Sequence, residues 1–125
     1  MLEDELLKQM IKKSSLTRRQ LECLIIQASG QKGEHLDDKI SKLYGKKITK
    51  PAFVITRERA KKKIKTAFYT LIITNYLSLI ARDCFLSFDR AVFLLKDMQG
   101  KEVSNEQIQA VMDTLEGLIN RILLV

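Results

Sequence analysis

The residues with the clearest chemical potential are the cations concentrated between Lys46 and Lys65. This stretch holds nine lysines and arginines against Glu58 alone, a local charge of +8. The whole chain carries a formal net charge of +7, so the remaining residues sum to −1. A concentrated block of positive charge creates a local field suited to phosphates or to an acidic partner, whereas scattered charge affects mainly solubility. The block therefore predicts a surface that binds a polyanion.

The other reactive side chains indicate neither a metal site nor catalysis. His35, Asp37 and Asp38 lack a fourth ligand and the usual ligand spacing. No nucleophile lies near a base in the sequence, and no glycine-rich phosphate loop is present. Cys23 and Cys84 are far apart and form no C-x-x-C pair, which is typical of buried, reduced thiols. We expect a non-enzymatic protein without a cofactor or metal.

Two segments bear on localisation. The chain begins with an acidic stretch, MLEDELLKQM, where a secretory signal would be positive. The sixteen residues from Thr66 to Ala81 carry no formal charge, but they fall short of the roughly 20 residues that a membrane span requires. We therefore expect a cytoplasmic protein with no membrane contact.

Composition predicts an all-α fold that forms a single domain over residues 1–125. With one proline and five glycines, the chain has few of the turn residues that a small sheet protein needs. A first helix is expected from Leu2 to Lys13. Thr17 and Gln20 form a capping-box pattern that begins a second helix, with Leu16 and Leu21 as its hydrophobic staple. The predicted inward face of the second helix consists of Leu21, Leu24, Ile25 and Ala28.

The middle of the chain predicts two further helical segments. A short helix is expected from Leu36 to Tyr44, between Gly30 and Gly45. Thr49 is the natural N-cap of the next helix, and Pro51 suits its first turn. No glycine or proline occurs between Ala52 and Gln99, so this segment is one long helix or two helices joined by a tight corner, for which Ser87 is the candidate. Its expected inward stripe consists of Phe53, Ala60, Ile64, Phe68, Leu71, Ile72 and Asn75.

The last helix predicts a dimer contact. Ser104 and Gln107 form a second capping box at its start, and apolar residues follow at three- and four-residue steps, as in a coiled-coil seam. This seam, from Ile108 to Val125, and the apolar surface of Phe68 to Leu86 offer more apolar surface than one small domain is expected to bury. The expected dimer-interface residues are Leu71, Leu79, Ile108, Val111, Met112, Leu115, Leu118, Ile119 and Ile122.

The stretches from Leu16 to Leu24 and from Ile48 to Ile64 together resemble a known group of helix-turn-helix domains, namely sigma-factor region four, the response-regulator output domains and the archaeal Tfx-type regulators. The stretch from Leu16 to Leu24 is similar to their L-T-x-R-Q-x-E-V-L opening. The stretch from Ile48 to Ile64 is similar to their last helix, I-S-x-x-T-V-x-x-x-x-x-R-A-x-K-K-L. The matching residues in this second block are Ile48, Thr49, Phe53, Arg59, Ala60, Lys62, Lys63 and Ile64.

The resemblance implies a helix-turn-helix core, in plain or winged-helix-like form, over residues 16–65, and a helical dimerisation bundle over residues 66–125. If Phe53, Ala60 and Ile64 face inward, Ile55, Glu58 and Lys62 lie near the centre of the exposed face. The N-terminal part of such a helix reaches base edges, and its apolar side chains can touch thymine methyl groups. The residues expected to probe bases are Lys50, Ala52, Val54, Ile55 and Glu58. Those expected to hold phosphates are Arg18, Arg19, Lys46, Lys47, Arg57, Arg59, Lys61, Lys62 and Lys65.

The sequence thus favours a homodimeric regulator of transcription that binds double-stranded DNA. The main alternative is a helical-bundle adaptor or assembly protein whose basic face meets an acidic protein. Binding of RNA is a third reading, weakened because no RNA-module motif is present. Taken alone, the run from Lys61 to Lys65 is more often a solvated helix face than a DNA contact. The concentration of charge beside the helix-turn-helix pattern brings the two readings level or slightly favours nucleic acid. What separates these readings is whether that run forms one continuous stripe with Arg18, Arg19 and Lys46.

Overall fold

The computed structural model describes residues 4–29 and 49–125, and over these residues it is helical. The five helices are α1 (Glu5–Lys13), α2 (Arg18–Ser29), α3 (Lys50–Tyr76), α4 (Cys84–Met98) and α5 (Asn105–Ile122). The all-α prediction is therefore confirmed for the described part of the chain. The only strand-like feature there is an isolated antiparallel bridge between Ile80 and Leu123. The helix predicted from Leu36 to Tyr44, with the flanking Gly30 and Gly45, lies outside the described residues.

The predicted first helix is present as α1 and ends at Lys13 as expected, but it begins at Glu5 and not at Leu2. Asp4 is its N-cap, and its carboxylate accepts a hydrogen bond from the Leu6 amide at 2.9 Å. Glu5 stands in the first turn and Lys12 and Lys13 in the last, the placement that complements a helix dipole. Leu6 is buried.

The predicted start of α2 is confirmed in detail. The Gln20 amide donates to Thr17 Oγ1 at 3.1 Å, and the Thr17 amide donates to Gln20 Oε1 at 3.0 Å. This is the reciprocal capping box that the spacing of these two residues predicts, and it satisfies two amide groups that would otherwise lack partners.

The predicted inward face of α2 is wrong. Leu21, Leu24 and Ile25 are only half-buried and Ala28 is exposed, whereas Cys23 and Ile26 are fully buried. Both sides of this helix carry apolar residues, so apolar periodicity alone could not select between them. The buried side also includes Gln20 and Glu22. Their polar groups have partners, and burial of a bonded polar group carries little penalty.

The start of α3 matches its prediction. The Ala52 amide donates to Thr49 Oγ1 at 3.3 Å, and the Phe53 amide donates to the Thr49 carbonyl at 3.0 Å. Pro51 lies in the first turn, where its missing N–H removes no helical hydrogen bond.

The segment from Ala52 to Gln99 forms two helices, and the predicted corner at Ser87 is wrong. The chain leaves α3 after Tyr76, and Ser87 lies inside α4. Ser78 adopts a left-handed conformation with φ of 59°. Its amide donates to the Asn75 carbonyl at 3.0 Å, and the Leu79 amide donates to the Thr74 carbonyl at 2.8 Å. These two bonds form a Schellman motif, which ends a helix without glycine at a conformational cost.

The predicted start of α5 is also confirmed. Ser104 and Gln107 form a reciprocal capping box, with the Gln107 amide donating to Ser104 Oγ at 3.2 Å. Gly100, with φ of 77°, makes the turn that precedes it.

At the C-terminal end of α5, the Ala81 amide donates to the Ile122 carbonyl and the Leu124 amide donates to the Leu79 carbonyl, both at 2.9 Å. This pairing fixes the end of the described chain to the corner after α3.

The chain divides into two compact units, Met1–Phe68 and Tyr69–Val125. The described core of the first unit includes Leu6, Cys23, Ile26, Phe53 and Ala60. That of the second consists of Ile80, Cys84, Ile108 and Val111. In the described ranges, no helix combines the length and apolar character needed to cross a membrane.

Candidate nucleic-acid interface

The first half of α3 has a buried face and an opposite exposed face. Phe53 and Ala60, seven residues apart and therefore on the same side, are both 0% exposed. On the opposite side, Ile55, Glu58 and Lys62 are exposed, as predicted from the spacing of the inward residues. The inward prediction for Ile64 is wrong in part, because its side chain remains 38% exposed.

The prediction for the second half of α3 is wrong at Phe68, Leu71 and Ile72. These side chains were expected to continue the inward stripe, but all three are exposed. Asn75, the last residue of the predicted inward stripe, is half-buried. Its side-chain amide nitrogen lies 4.0 Å from Cys84 Sγ. The helix carries apolar side chains around much of its circumference here, so a single inward stripe does not account for them.

Lys63 is bound within the first unit instead of facing solvent with its neighbours. Its Nζ donates to the Ser15 carbonyl at 2.6 Å and to Gln20 Oε1 at 2.9 Å. Gln20 Oε1 also accepts the Thr17 amide, so the capping box of α2 and the lysine share one acceptor. Lys63 therefore ties α3 to the junction between α1 and α2.

Arg57 is likewise held against neighbouring side chains. Its Nη1 donates to Gln27 Oε1 at 2.8 Å, and its guanidinium lies 5.7 Å from the centre of the Phe53 ring. Nη2 pairs with Glu58 Oε1 at 3.2 Å, and the side chain is only 21% exposed. Arg57, which was predicted to contact phosphate, therefore already contacts Gln27, Phe53 and Glu58 within the first unit.

These long-range bonds set the direction of α2 relative to the first half of α3. Gln20 bonds Lys63, and seven residues later Gln27 bonds Arg57, six residues earlier along α3. The two helical segments therefore run antiparallel. As a consequence, the first turn of α2, which carries Arg18 and Arg19, lies beside the turn of α3 from Lys61 to Lys65.

The first turn of α2 favours anions. It contains no acidic residue but two arginines, Arg18 and Arg19. Cations are unfavourable at this position, because the N-terminus is the positive end of the helix dipole. Arg18 is partly offset by Glu22, whose Oε1 lies 3.1 Å from its Nε. A positively charged first turn at a positive dipole end is a favourable place for a phosphate.

Five cations remain exposed on the first half of α3, and we call them the basic face. Glu58 lies among them and pairs with Lys61 at 3.6 Å. Of the predicted base-probing apolar residues, Val54 and Ile55 are exposed and Ala52 is half-buried. Lys46 and Lys47 lie outside the described residues. The members of the basic face are Lys50, Arg59, Lys61, Lys62 and Lys65.

Sequence reasoning missed the polar residues that position this face. Gln20 was identified as a capping residue, but its second role as the acceptor for Lys63 gives no sequence signal, because the two lie 43 positions apart. The same holds for Gln27 and Arg57, 30 positions apart.

The residues predicted for the dimer interface fall into three groups. Ile108 and Val111 are buried in the core of the second unit. Leu71 and Ile119 are exposed. The remaining members, Leu79, Met112, Leu115, Leu118 and Ile122, are half-buried.

Other reactive groups form no site in the described ranges. Cys23 and Cys84 are buried, and no disulfide joins them. No three histidine, cysteine, aspartate or glutamate side chains among the described residues are placed to hold a metal ion. His35, Asp37 and Asp38 lie outside those residues.

Comparisons with protein-family models, with curated proteins and with solved structures find no match to this chain.

Proposed function

We propose that this chain is a homodimeric DNA-binding protein of helix-turn-helix type that regulates transcription. The observation that carries the proposal is the position of the basic face on α3 beside the positively charged first turn of α2. These cations extend from Lys50 to Lys65, a length of about 22 Å at the rise of an α-helix. A stripe of this length and charge suits the phosphates that flank a groove of duplex DNA.

Within this proposal, the two kinds of exposed residue have separate roles. Arg59, Lys61, Lys62 and Lys65 bind phosphates, together with Arg18 and Arg19 from α2. Phosphate contacts supply affinity and make it depend on salt. Lys50, Val54 and Ile55, near the start of α3, reach base edges and provide whatever sequence preference exists. Lys63 and Arg57 hold α3 in position.

A second candidate is an adaptor that binds an acidic protein. It is favoured by the exposure of Val54 and Ile55 beside the cations, because apolar side chains ringed by charge are common in protein–protein contacts. Glu58, within the basic face, would then discriminate between acidic partners.

The test is a fluorescence-anisotropy titration of random duplex DNA at about 50 and 200 mM salt. We expect submicromolar binding at the lower salt and a steep loss at the higher salt. The variant Lys61→Glu/Lys62→Glu/Lys65→Glu should abolish binding. Its matched control is Lys96→Glu/Lys101→Glu/Arg121→Glu, which makes the same change in net charge on α4, α5 and their connection.

The control separates a specific face from a general effect of net charge. We expect the control variant to keep most of the wild-type affinity. Equal loss in both variants would show that total charge alone attracts DNA. Absence of binding at low salt, with circular dichroism showing folded protein, would contradict the proposal and favour the adaptor.

A further inference from the structure

One face of α3 in the second unit carries four large apolar side chains that nothing in the described chain covers. Tyr69, Ile72, Ile73 and Tyr76 are exposed by 73%, 61%, 55% and 84%. Their spacing of three, one and three residues places them on the same side of the helix. We call these four residues the α3 stripe. Cys84 packs near Asn75, which lies about 110° around the helix from the centre of the stripe.

The order of residues in the α3 stripe is symmetric. Read in either direction it is Tyr-x-x-Ile-Ile-x-x-Tyr, with its centre between Ile72 and Ile73. A two-fold symmetric contact requires a patch that is complementary to itself, since each residue meets its counterpart across the axis. Two antiparallel helices related by an axis at this centre would place Tyr69 against Tyr76 of the second copy and Ile72 against Ile73.

We infer that the α3 stripe is the contact surface between two copies of this chain, which pair antiparallel along it. The inference rests on the homodimer in the proposed function and names its surface. It differs from the seam expected on α5, where Ile108 and Val111 are already covered within a single copy.

Charge along α3 agrees with a second copy as the occupant. No charged residue occurs from Thr66 to Ala81, so the contact brings no like charges together. Lys65 is the first cation before the stripe, about 11 Å along the helix from the symmetry axis. Tyr76, the last residue of α3, lies about 5 Å from that axis on the other side. Antiparallel pairing therefore places Lys65 just beyond the C-terminus of the second copy's α3, where the helix dipole attracts cations.

The exposed area is compatible with a small dimer interface. With about 200 Å² for each tyrosine and slightly less for each isoleucine, the exposed fractions amount to roughly 500 Å² on one copy. Two copies would bury about 1,000 Å², the lower limit for a specific interface. Tyrosine also suits an interface core, because it combines large area with few rotatable bonds.

The experiment is sedimentation velocity on the full chain between about 1 and 100 µM. Wild type should sediment as a dimer. Ile72→Glu/Ile73→Glu should weaken the dimer by more than about 100-fold, since four carboxylates would meet at the axis. The matched control, Leu86→Glu/Phe93→Glu, makes the same change at exposed residues on the outward side of α4 and should remain dimeric.

A charge-exchange experiment identifies the occupant as a second copy. Ile72→Lys/Ile73→Lys should also be monomeric, but an equimolar mixture with Ile72→Glu/Ile73→Glu should form a heterodimer. A wild-type monomer at 100 µM would overturn the inference, as would a dimer that both double variants retain. A wild-type monomer would leave another protein's helix or a lipid surface as the occupant.

Failure of this inference is distinguishable from failure of the proposed function. The monomeric variant keeps an intact basic face and should still bind duplex DNA, with lower affinity because two linked faces bind more tightly than one. A wild-type dimer that does not bind duplex DNA would contradict the proposed function alone. A dimer that both double variants retain while still binding DNA would contradict the inference alone. A wild-type monomer that binds DNA would contradict the inference and the homodimer but not the DNA-binding part of the proposed function.

Discussion

Lys62 and Lys63 are neighbours of the same type in different environments. Lys62 is exposed on the basic face, whereas Lys63 donates to Ser15 and Gln20. A one-residue step rotates the side chain by about 100° around a helix, which is enough to separate an exposed position from one that faces the junction of α1 and α2. The difference yields a direct comparison of stability.

Lys63→Met should lower the free energy of unfolding by about 1–2 kcal/mol, because the Ser15 carbonyl and Gln20 Oε1 lose a charged donor. Lys62→Met should change it by less than about 0.5 kcal/mol, since its ammonium is solvated. Urea unfolding followed by circular dichroism measures both values. Equal effects at the two positions would show that the bonds of Lys63 add nothing to stability.

Ser78 is the described residue other than glycine with a positive φ. A side chain in this conformation costs about 1–2 kcal/mol, and glycine avoids most of that cost. Ser78→Gly should therefore stabilise the chain by about 0.5–1 kcal/mol, after allowance for the greater freedom of glycine in the unfolded state. Thermal unfolding would show a raised midpoint.

The same substitution at Ser87 provides the control. Ser87 lies within α4, where glycine is a poorer helix former than serine by about 0.5 kcal/mol. We expect Ser87→Gly to lower the midpoint. A shift of the same sign at both positions would contradict the conformational explanation.

Local features at the residue scale could be read from the sequence, and distant ones could not. The caps at Thr17, Thr49 and Ser104 depend on partners three residues away, so the pattern itself contains the interaction. The partners of Lys63 are 43 and 48 positions away. Nothing in local composition distinguishes that lysine from the others in its run.

At the scale of elements, α3 is the helix on which the proposed function depends. Its boundaries were predictable at one end only. Thr49 and Pro51 are recognised start signals. The end at Tyr76 depends on a Schellman motif with serine at the position that glycine usually occupies, so the expected signal was missing and Ser87 was favoured instead.

Glu58 is the acidic residue within the basic face, exposed and paired with Arg57 and Lys61. If phosphates lie against this face, the carboxylate repels them. Glu58→Gln should raise the affinity for random duplex DNA several-fold at low salt. The gain should be smaller at high salt, because salt screens the repulsion between the carboxylate and the phosphates. Anisotropy titrations at the two salt concentrations provide the measurement.

A control for Glu58 is Glu116→Gln on α5, which removes the same charge from an exposed site outside the basic face. It should leave the affinity nearly unchanged. If Glu58→Gln weakens binding instead, the carboxylate accepts a hydrogen bond from a base, as a glutamate can from cytosine. Its contribution would then be base readout and not repulsion.

At the scale of the whole molecule, the sequence predicted an all-α chain and a surplus of apolar surface, both of which follow from composition and periodicity. It placed that surplus on Phe68 to Leu86 and on the last helix, but it did not predict which residues there stay exposed. Apolar patterning cannot distinguish residues buried within a copy, such as Ile108, from residues such as Tyr76 that stay exposed. That distinction depends on which helices pack together, which a single sequence does not record.

The central claim is that the exposed cations of α3 bind phosphates while its bound lysine does not. The most direct test is the slope of log K against log salt concentration for duplex DNA, measured for wild type, Lys62→Gln and Lys63→Gln. The account predicts that Lys62→Gln reduces the slope by about 0.9, the value for one phosphate contact, and that Lys63→Gln leaves it unchanged. Equal slopes for wild type and Lys62→Gln, or a loss confined to Lys63→Gln, would contradict the account.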